Sequence, residues 1–172
     1  MKKELRKIFL EKRRNIINRA SKDKIIVSNI NSIIEKYQRI MIYYPISSEP
    51  NILNIIKRED KKFFYLPFCD KNNIEPRLLT DLNNLIKDEV NILSSNIKTS
   101  DNMEVVIAPA VACNDDFYRL GYGGGYYDRF LQNKDAIKIA VLYDDLLTNI
   151  KYQEKFDVKF DYIVTEKRIL KR

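Results

Sequence analysis

The sequence predicts an α/β fold: one three-layer α/β/α domain, residues 1–172, on a largely parallel central sheet. Three observations carry this. The short apolar runs RIMIYY (39–44), MEVVIAPAV (103–111) and IKIAVLY (137–143) have the length and composition of buried strands. Between them lie segments with apolar residues at helical spacing, and strands alternating with helices make a parallel sheet covered on both faces. A length of 172 residues suits one domain whose core needs neither disulfides nor a structural metal. No repeat, linker or shift in composition marks a boundary, so the expected architecture is Rossmann-like and undivided.

In chain order, Leu5, Ile8, Phe9, Ile16 and Ile17 recur at helical spacing among Lys and Arg. They predict an amphipathic first helix with a basic outer face. Ser21 is placed to cap a second helix carrying Ile25, Ile26, Ile30, Ile33, Ile34 and Tyr37. The 39–44 strand stops at Pro45; residues 47–59 fit a turn and short helix, and KKFFYLP (61–67) a further strand. From Cys69 to Ser100 the chain is polar, with PRLLT (76–80) as a short strand. The run 103–111 is the clearest core strand, ended by Pro109. A helix at 126–133, the 137–143 strand, a helix at 144–150 and a last strand at DYIVTE (161–166) complete the pattern.

Composition narrows the chemistry. The chain has no histidine, which excludes a Ser-His-Asp triad, a Cys-His dyad and any histidine-held zinc or iron. Cys69 and Cys113 read as small core residues, and two cysteines cannot make a structural zinc site. An enzyme with this composition works with carboxylates, basic side chains, tyrosines, backbone amides and a hard oxygen-bound cation. That points toward phosphate or nucleotide chemistry. The basic start MKKELRKIFLEKRR lacks the apolar region of a secretory signal, and no run suits a membrane span; a reduced, cytoplasmic protein is expected. The net charge of +7 implies anionic partners without choosing among nucleic acid, an acidic membrane surface and a polyanionic small molecule.

All four glycines, Gly121, Gly123, Gly124 and Gly125, fall within RLGYGGGYYDRF (119–130). They sit between a core strand and a helix, where an α/β protein binds ligands beyond the carboxyl ends of its strands. Glycines let a ligand approach the backbone, and their amides with a helix N-terminus downstream form an anion-binding concavity. The segment lacks the Lys-Ser/Thr of a P-loop and does not match G-x-G-x-x-G. Its flanking Arg119, Tyr122, Tyr126, Tyr127, Asp128 and Arg129 mark a phosphate loop over a merely flexible turn.

RLGYGGGYYDRFL resembles the signature of the 5-formyltetrahydrofolate cyclo-ligase family. The resemblance extends in order over nearly the whole chain, through KKELR, YYPISSEPN, FFYLP, VVIAPAVACNDDFYRLGYGGGYYDRFL and FDVKFDYIVTE. It implies ATP-dependent cyclisation of 5-formyltetrahydrofolate to 5,10-methenyltetrahydrofolate with Mg2+ and release of ADP and phosphate. Such phosphoryl transfer rests on positioning and charge neutralisation, and needs no histidine. It further implies a monomer that meets small molecules, without nucleic acid or membrane.

Residue by residue, the resemblance assigns Lys2, Lys3 and Arg6 to ATP, with Arg119, Leu120, Gly121, Tyr122, Gly123, Gly124, Gly125, Tyr126 and Tyr127 as the nucleotide loop. Tyr122 to Tyr126 would also line the folate pocket, with Tyr44 and Glu49 on its far side. Asp128 and Asp157 match the magnesium aspartates, although Asp161 also precedes the last strand. Arg119, Tyr122 and Asp128 would carry the catalysis. The chain departs from the family at Cys113-Asn114, usually Phe-Asp, and at Phe117, usually glycine. It also lacks the glycine and Glu-Pro pair common around KDEVNILSSN. The competing readings are a basic nucleic-acid-binding module and a different ATP-using enzyme on a related scaffold.

Overall fold

The computed structural model describes residues 1–57 and 61–172. Two helices, α1 (Lys2–Arg14) and α2 (Arg19–Ile34), precede β1 (Arg39–Met41) and a 3-10 turn at Leu53–Ile55. A hairpin follows, β2 (Phe63–Asp70) and β3 (Asn73–Leu79), then the short β4 (Ile86–Lys87), β5 (Leu93–Ser94) and β6 (Ile97–Lys98). Next come β7 (Val105–Pro109), β8 (Ala112–Asn114), β9 (Arg119–Leu120), α3 (Tyr126–Leu131) and β10 (Ile137–Val141). A second 3-10 turn (Asp144–Leu146), β11 (Leu147–Thr148), β12 (Tyr162–Val164) and β13 (Ile169–Lys171) close the chain.

Eight strands form the main sheet in the order β13-β12-β10-β7-β1-β2-β3-β6. Its middle, from β12 to β2, is parallel, and the flanks are antiparallel. This is the α/β fold expected, with a large, mostly parallel sheet and few helices. β7 is buried at every residue and pairs with β10 from Val105↔Ile137 to Pro109↔Val141. A strand covered on both faces has no polar side to alternate with, hence the unbroken VVIAP. α2 turns Ile26, Ile30 and Ile34 inward at four-residue spacing, each fully buried or nearly so.

Among the parallel strands alone, the chain steps from β1 to β2, then returns to the other side of β1 for β7, β10 and β12. With right-handed crossovers, that reversal puts the flanking connections on opposite faces and opens a crevice beyond the carboxyl ends of β1 and β7. Such a switch point is where this architecture takes its ligand.

Several local expectations are corrected. α1 stops at Arg14, leaving Ile16 buried in the link and Ile17 exposed. Ser21 lies inside α2; the cap position belongs to Asn18, which takes a left-handed φ of 56° that asparagine tolerates, and Ser21 Oγ donates to its carbonyl. The helix expected at 144–150 is a 3-10 turn whose exit, β11, finds a parallel partner in β8. The polar stretch after Cys69 holds an antiparallel hairpin whose turn, Lys71–Asn72, has positive φ at both residues, as a primed two-residue turn requires. DYIVTE is not last, because β13 returns antiparallel to β12 at the sheet edge. For the 47–59 segment, only Leu53–Ile55 is helical among its described residues, and 58–59 lie outside them.

The unusual Phe117 has a structural counterpart. It adopts φ 66° in the turn between β8 and β9, a conformation glycine takes freely. Asn114 holds that turn: its side-chain oxygen accepts from the Tyr118 amide, and its Nδ2 donates to Gln153. Among the described residues no helix is long and apolar enough to cross a membrane.

Candidate active site

At the switch point lies a cavity of about 650 Å³. Tyr43 and Tyr44, just beyond β1, and Pro109, the end of β7, form its floor, and the glycine loop forms a wall. Of the ATP, folate and magnesium residues assigned from the sequence, all line it except Lys3, which is exposed on α1, and the alternative Asp161. Lys2 and Arg6, four residues apart, are the pair that faces inward.

The glycine loop runs from β9 to α3 and is shaped as much by side chains as by glycine. Gly123 has φ 109°, and a Cβ there would lie 3.3 Å from the Arg6 guanidinium. Gly125 precedes α3 with φ 67°. Gly121 and Gly124 have another reason to be bare. A Cβ on Gly121 would stand 2.7 Å from Arg119, and one on Gly124 would stand 2.7 Å from the Tyr126 ring. Arg6 Nε donates to the Gly121 carbonyl at 2.7 Å, so α1 is pinned to the loop. Arg129 does the same from the other side, donating to the Gly124 carbonyl.

Arg119 is nearly buried and donates to the Pro109 carbonyl at 2.8 Å. Its guanidinium lies 4.9 Å from the centroid of the Tyr127 ring and 4.0 Å from Asp128 Oδ2, while its Nε has no partner among the described residues. Asp128 accepts from the Val158 amide through Oδ1. Asp157 accepts from Lys2 Nζ at 2.6 Å and from the Glu154 amide, both through Oδ2. Burial lowers the Lys2 pKa, but the Asp157 and Glu154 carboxylates outweigh it and the net shift is upward. Asp161 bonds instead to Lys138 and Arg172 and does not line the cavity, so Asp157 is the aspartate that accompanies Asp128.

On the opposite side Glu49 is buried, its Oε2 accepting from the Ile46 amide and its Oε1 from Tyr122 Oη at 3.0 Å. Burial pushes its carboxyl pKa up, against the Ile46 hydrogen bond and the charge of Arg13. Arg13 was not singled out from the sequence. It is fully buried in α1 and donates to Ser48 Oγ and Tyr122 Oη. A signal existed: Arg13 falls four residues after Phe9 and eight after Leu5, on the buried stripe of the helix.

The thiols add no reactivity. Burial pushes Cys113 up to about 12, and burial with the neighbouring Asp88 carboxylate pushes Cys69, at the cavity edge, up to about 12. Thiols in that range stay protonated near neutral pH. What remains is an amide-rich cradle with Lys2, Arg6 and Arg119, and five carboxylates: Asp88, Asp128, Asp157, Glu154 and the buried Glu49. These groups can hold, orient and neutralise a charged ligand.

The chain as a whole is similar to known proteins. The family model for the 5-formyltetrahydrofolate cyclo-ligase family matches residues 1–166. A 5-formyltetrahydrofolate cyclo-ligase of Mycoplasma pneumoniae is 26% identical over 96% of this chain and 98% of its own length. One from Escherichia coli is 29% identical over 56% of this chain and 55% of its own length. The NMR structure of Aquifex aeolicus 5,10-methenyltetrahydrofolate synthetase superposes with a TM-score of 0.85 at 28% identity, over 99% of this chain and 92% of that one. A 5,10-methenyltetrahydrofolate synthetase from Mycoplasma pneumoniae shares the fold, with a TM-score of 0.74 at 22% identity, over 96% of this chain and 98% of that one. Matched from its first residue through the glycine loop to the last parallel strand, the chain belongs to the 5-formyltetrahydrofolate cyclo-ligase family.

Proposed function

We propose that this chain converts 5-formyltetrahydrofolate to 5,10-methenyltetrahydrofolate at the expense of ATP, with Mg2+, in the cavity at the switch point. One observation carries the reading: a single cavity joins a phosphate-type cradle to a buried carboxylate suited to a pterin. Lys2, Arg6 and the amides of the glycine loop hold the triphosphate, with Leu120 and Tyr127 supporting the loop from behind. Lys3, exposed on the outer face, adds only to the surrounding positive field. Glu49 accepts hydrogen bonds from the pterin amino and ring nitrogens, with Tyr44, Tyr122 and Tyr126 around the ring. On this reading the protein acts on small molecules as a monomer.

The donor set suits a hard cation. Two carboxylates beside a phosphate cradle are what magnesium takes when substrate oxygens and water complete its shell. Asp128 and Asp157 would hold it, and it would supply neutralisation of phosphate charge. In the reaction the formyl oxygen attacks the γ-phosphorus, the bond from that phosphorus to the ADP oxygen breaks, and ADP leaves. The neighbouring folate nitrogen then attacks the formyl carbon, the carbon–oxygen bond breaks, and phosphate departs as the ring closes. In this reading Arg119, Tyr122 and Asp128 serve the transfer; the Nε of buried Arg119, without a partner among the described residues, is a donor available to developing charge.

The test is the absorbance of methenyltetrahydrofolate formed by purified protein, with ATP and magnesium omitted in turn. Product should appear only with ATP and fall sharply without magnesium. Equal rates with and without ATP, or no turnover of the folate at all, would overturn the reading.

A further inference from the structure

Arg13 has none of the features of an ordinary helix-surface arginine. It is wholly inaccessible to solvent, yet among the described residues it forms no ion pair with a carboxylate. Its fork is divided. Nε donates to Ser48 Oγ at 3.0 Å, Nη2 donates to Tyr122 Oη at 2.5 Å, and Nη1 has no partner among the described residues. The guanidinium also lies 5.5 Å from the centroid of the Tyr122 ring. A buried donor left unmade opposes folding, and an apolar side chain of similar volume would serve a core better. Stability alone does not account for arginine here.

Its two acceptors flank one group. Ser48 precedes Glu49 in the chain, and Tyr122 donates to Glu49 Oε1. A tyrosine hydroxyl has one proton. With a donor-only guanidinium against its oxygen, that proton turns toward the glutamate. The Ile46–Glu49 turn also needs a hold, because Ser47 sits at a left-handed φ of 51°. Arg13 grips it at Ser48 from a different element.

We infer that Arg13 is a positioning residue for the folate half of the cavity. By clamping Ser48 and Tyr122 it fixes the Glu49 carboxylate in place and in orientation to receive the amino and ring N–H groups of a pterin. This rests on the proposed reading of Glu49 as the pterin acceptor. It adds that α1 serves both substrates, ATP through Lys2 and Arg6 at its start and the folate through Arg13 at its end.

The charge has a second effect. Glu49 faces Arg13 from α1, Arg119 from β9, Tyr122 from the loop, Tyr43 beyond β1 and Tyr127 from α3. Burial raises its pKa, and Arg13 is among the groups that oppose this. Glu49 must be ionised to accept at both oxygens with full charge, so folate use falls on the acid side as it protonates. Removing Arg13 moves that limb to higher pH.

The experiment is steady-state kinetics of Arg13→Met across pH, with each substrate varied in turn. KM for the folate should rise by about tenfold, as for loss of a hydrogen bond to a charged group, while KM for ATP changes less than about twofold. The acid limb of kcat/KM for the folate should move to higher pH. A purely structural role would lower thermal stability and leave both the KM ratio and the limb in place. Arg13→Lys keeps the charge but cannot span Ser48 and Tyr122 together, so it should raise the folate KM and spare the limb. Tyr122→Phe, at an exposed ring, keeps the inference testable if both arginine variants unfold: it should raise the folate KM. A folded Arg13→Met, or failing that a Tyr122→Phe, with wild-type folate KM and an unmoved limb overturns this inference alone. A wild-type protein that does not turn over the folate overturns the functional reading, and this inference with it.

Discussion

The two halves of the cavity, one proposed for phosphate and one for folate, are made in different ways. The phosphate half is nearly one continuous piece of chain, Arg119 to Asp128, joined by the start of α1. Its working groups are main-chain amides and carbonyls, with glycines leaving room for Arg119 and Tyr126. The folate half is put together from a distance. Arg13 meets Ser48 across 35 positions and Tyr122 across 109, and Tyr122 meets Glu49 across 73. Backbone chemistry is a local property of sequence, whereas converging side chains depend on the whole fold. The first half is therefore sensitive to shape and the second to charge and hydrogen bonding.

Asp128→Asn should break the pattern most, since it alters charge in the half otherwise governed by shape. Asparagine retains an oxygen for the Val158 amide, so the fold should stand, while kcat falls by about 100-fold or more, as for loss of one transition-state contact. Added magnesium should recover part of the loss in a titration; full activity at low magnesium would remove the metal role. Gly123→Ala sharpens the comparison by changing shape alone. At φ 109°, with the Arg6 guanidinium 3.3 Å from the new methyl, strain of about 1–3 kcal/mol should cost roughly tenfold to a hundredfold in kcat/KM for ATP. Circular dichroism should report a folded protein. Arg6→Ala tests whether α1 completes the phosphate half, and KM for ATP should rise about tenfold with the folate KM nearly unchanged. Lys3→Ala, one face away, should stay within about twofold on both constants, as exposed charges do. Equal effects of Lys3→Ala and Arg6→Ala on ATP would show that α1 acts as a diffuse field and not through the side chains turned inward.

The same contrast decides what could be read in advance. The wholly buried VVIAP announced its strand, and four glycines in five positions announced the loop. Glu49 was reached only through family likeness, because one glutamate beside a proline carries no chemical signature. Arg13 was missed because an arginine among lysines reads as solvated surface, although its place on the Leu5–Phe9 stripe argued otherwise. β13 was missed because ILK between basic residues lacks apolar alternation, the usual dress of an exposed edge strand. The 144–150 helix failed because two residues, Leu147 and Thr148, found a ladder on β8 that local propensity cannot foresee. Ser21 failed because asparagine three residues earlier tolerates the left-handed turn that starts α2.

The docking of α1 has a thermal consequence. The helix buries only Leu5 and Phe9 among its apolar side chains, and it reaches the site through Lys2, Arg6 and Arg13. Local opening begins where least apolar area is at stake, far from a strand such as β7 that is buried throughout. The helix is thus the part of the cavity wall expected to open first, and its opening would expose both of the proposed substrate sites at once. On the proposed reading, turnover should be lost on warming before the main unfolding transition, and a nucleotide bridging helix and loop should raise the temperature at which that happens.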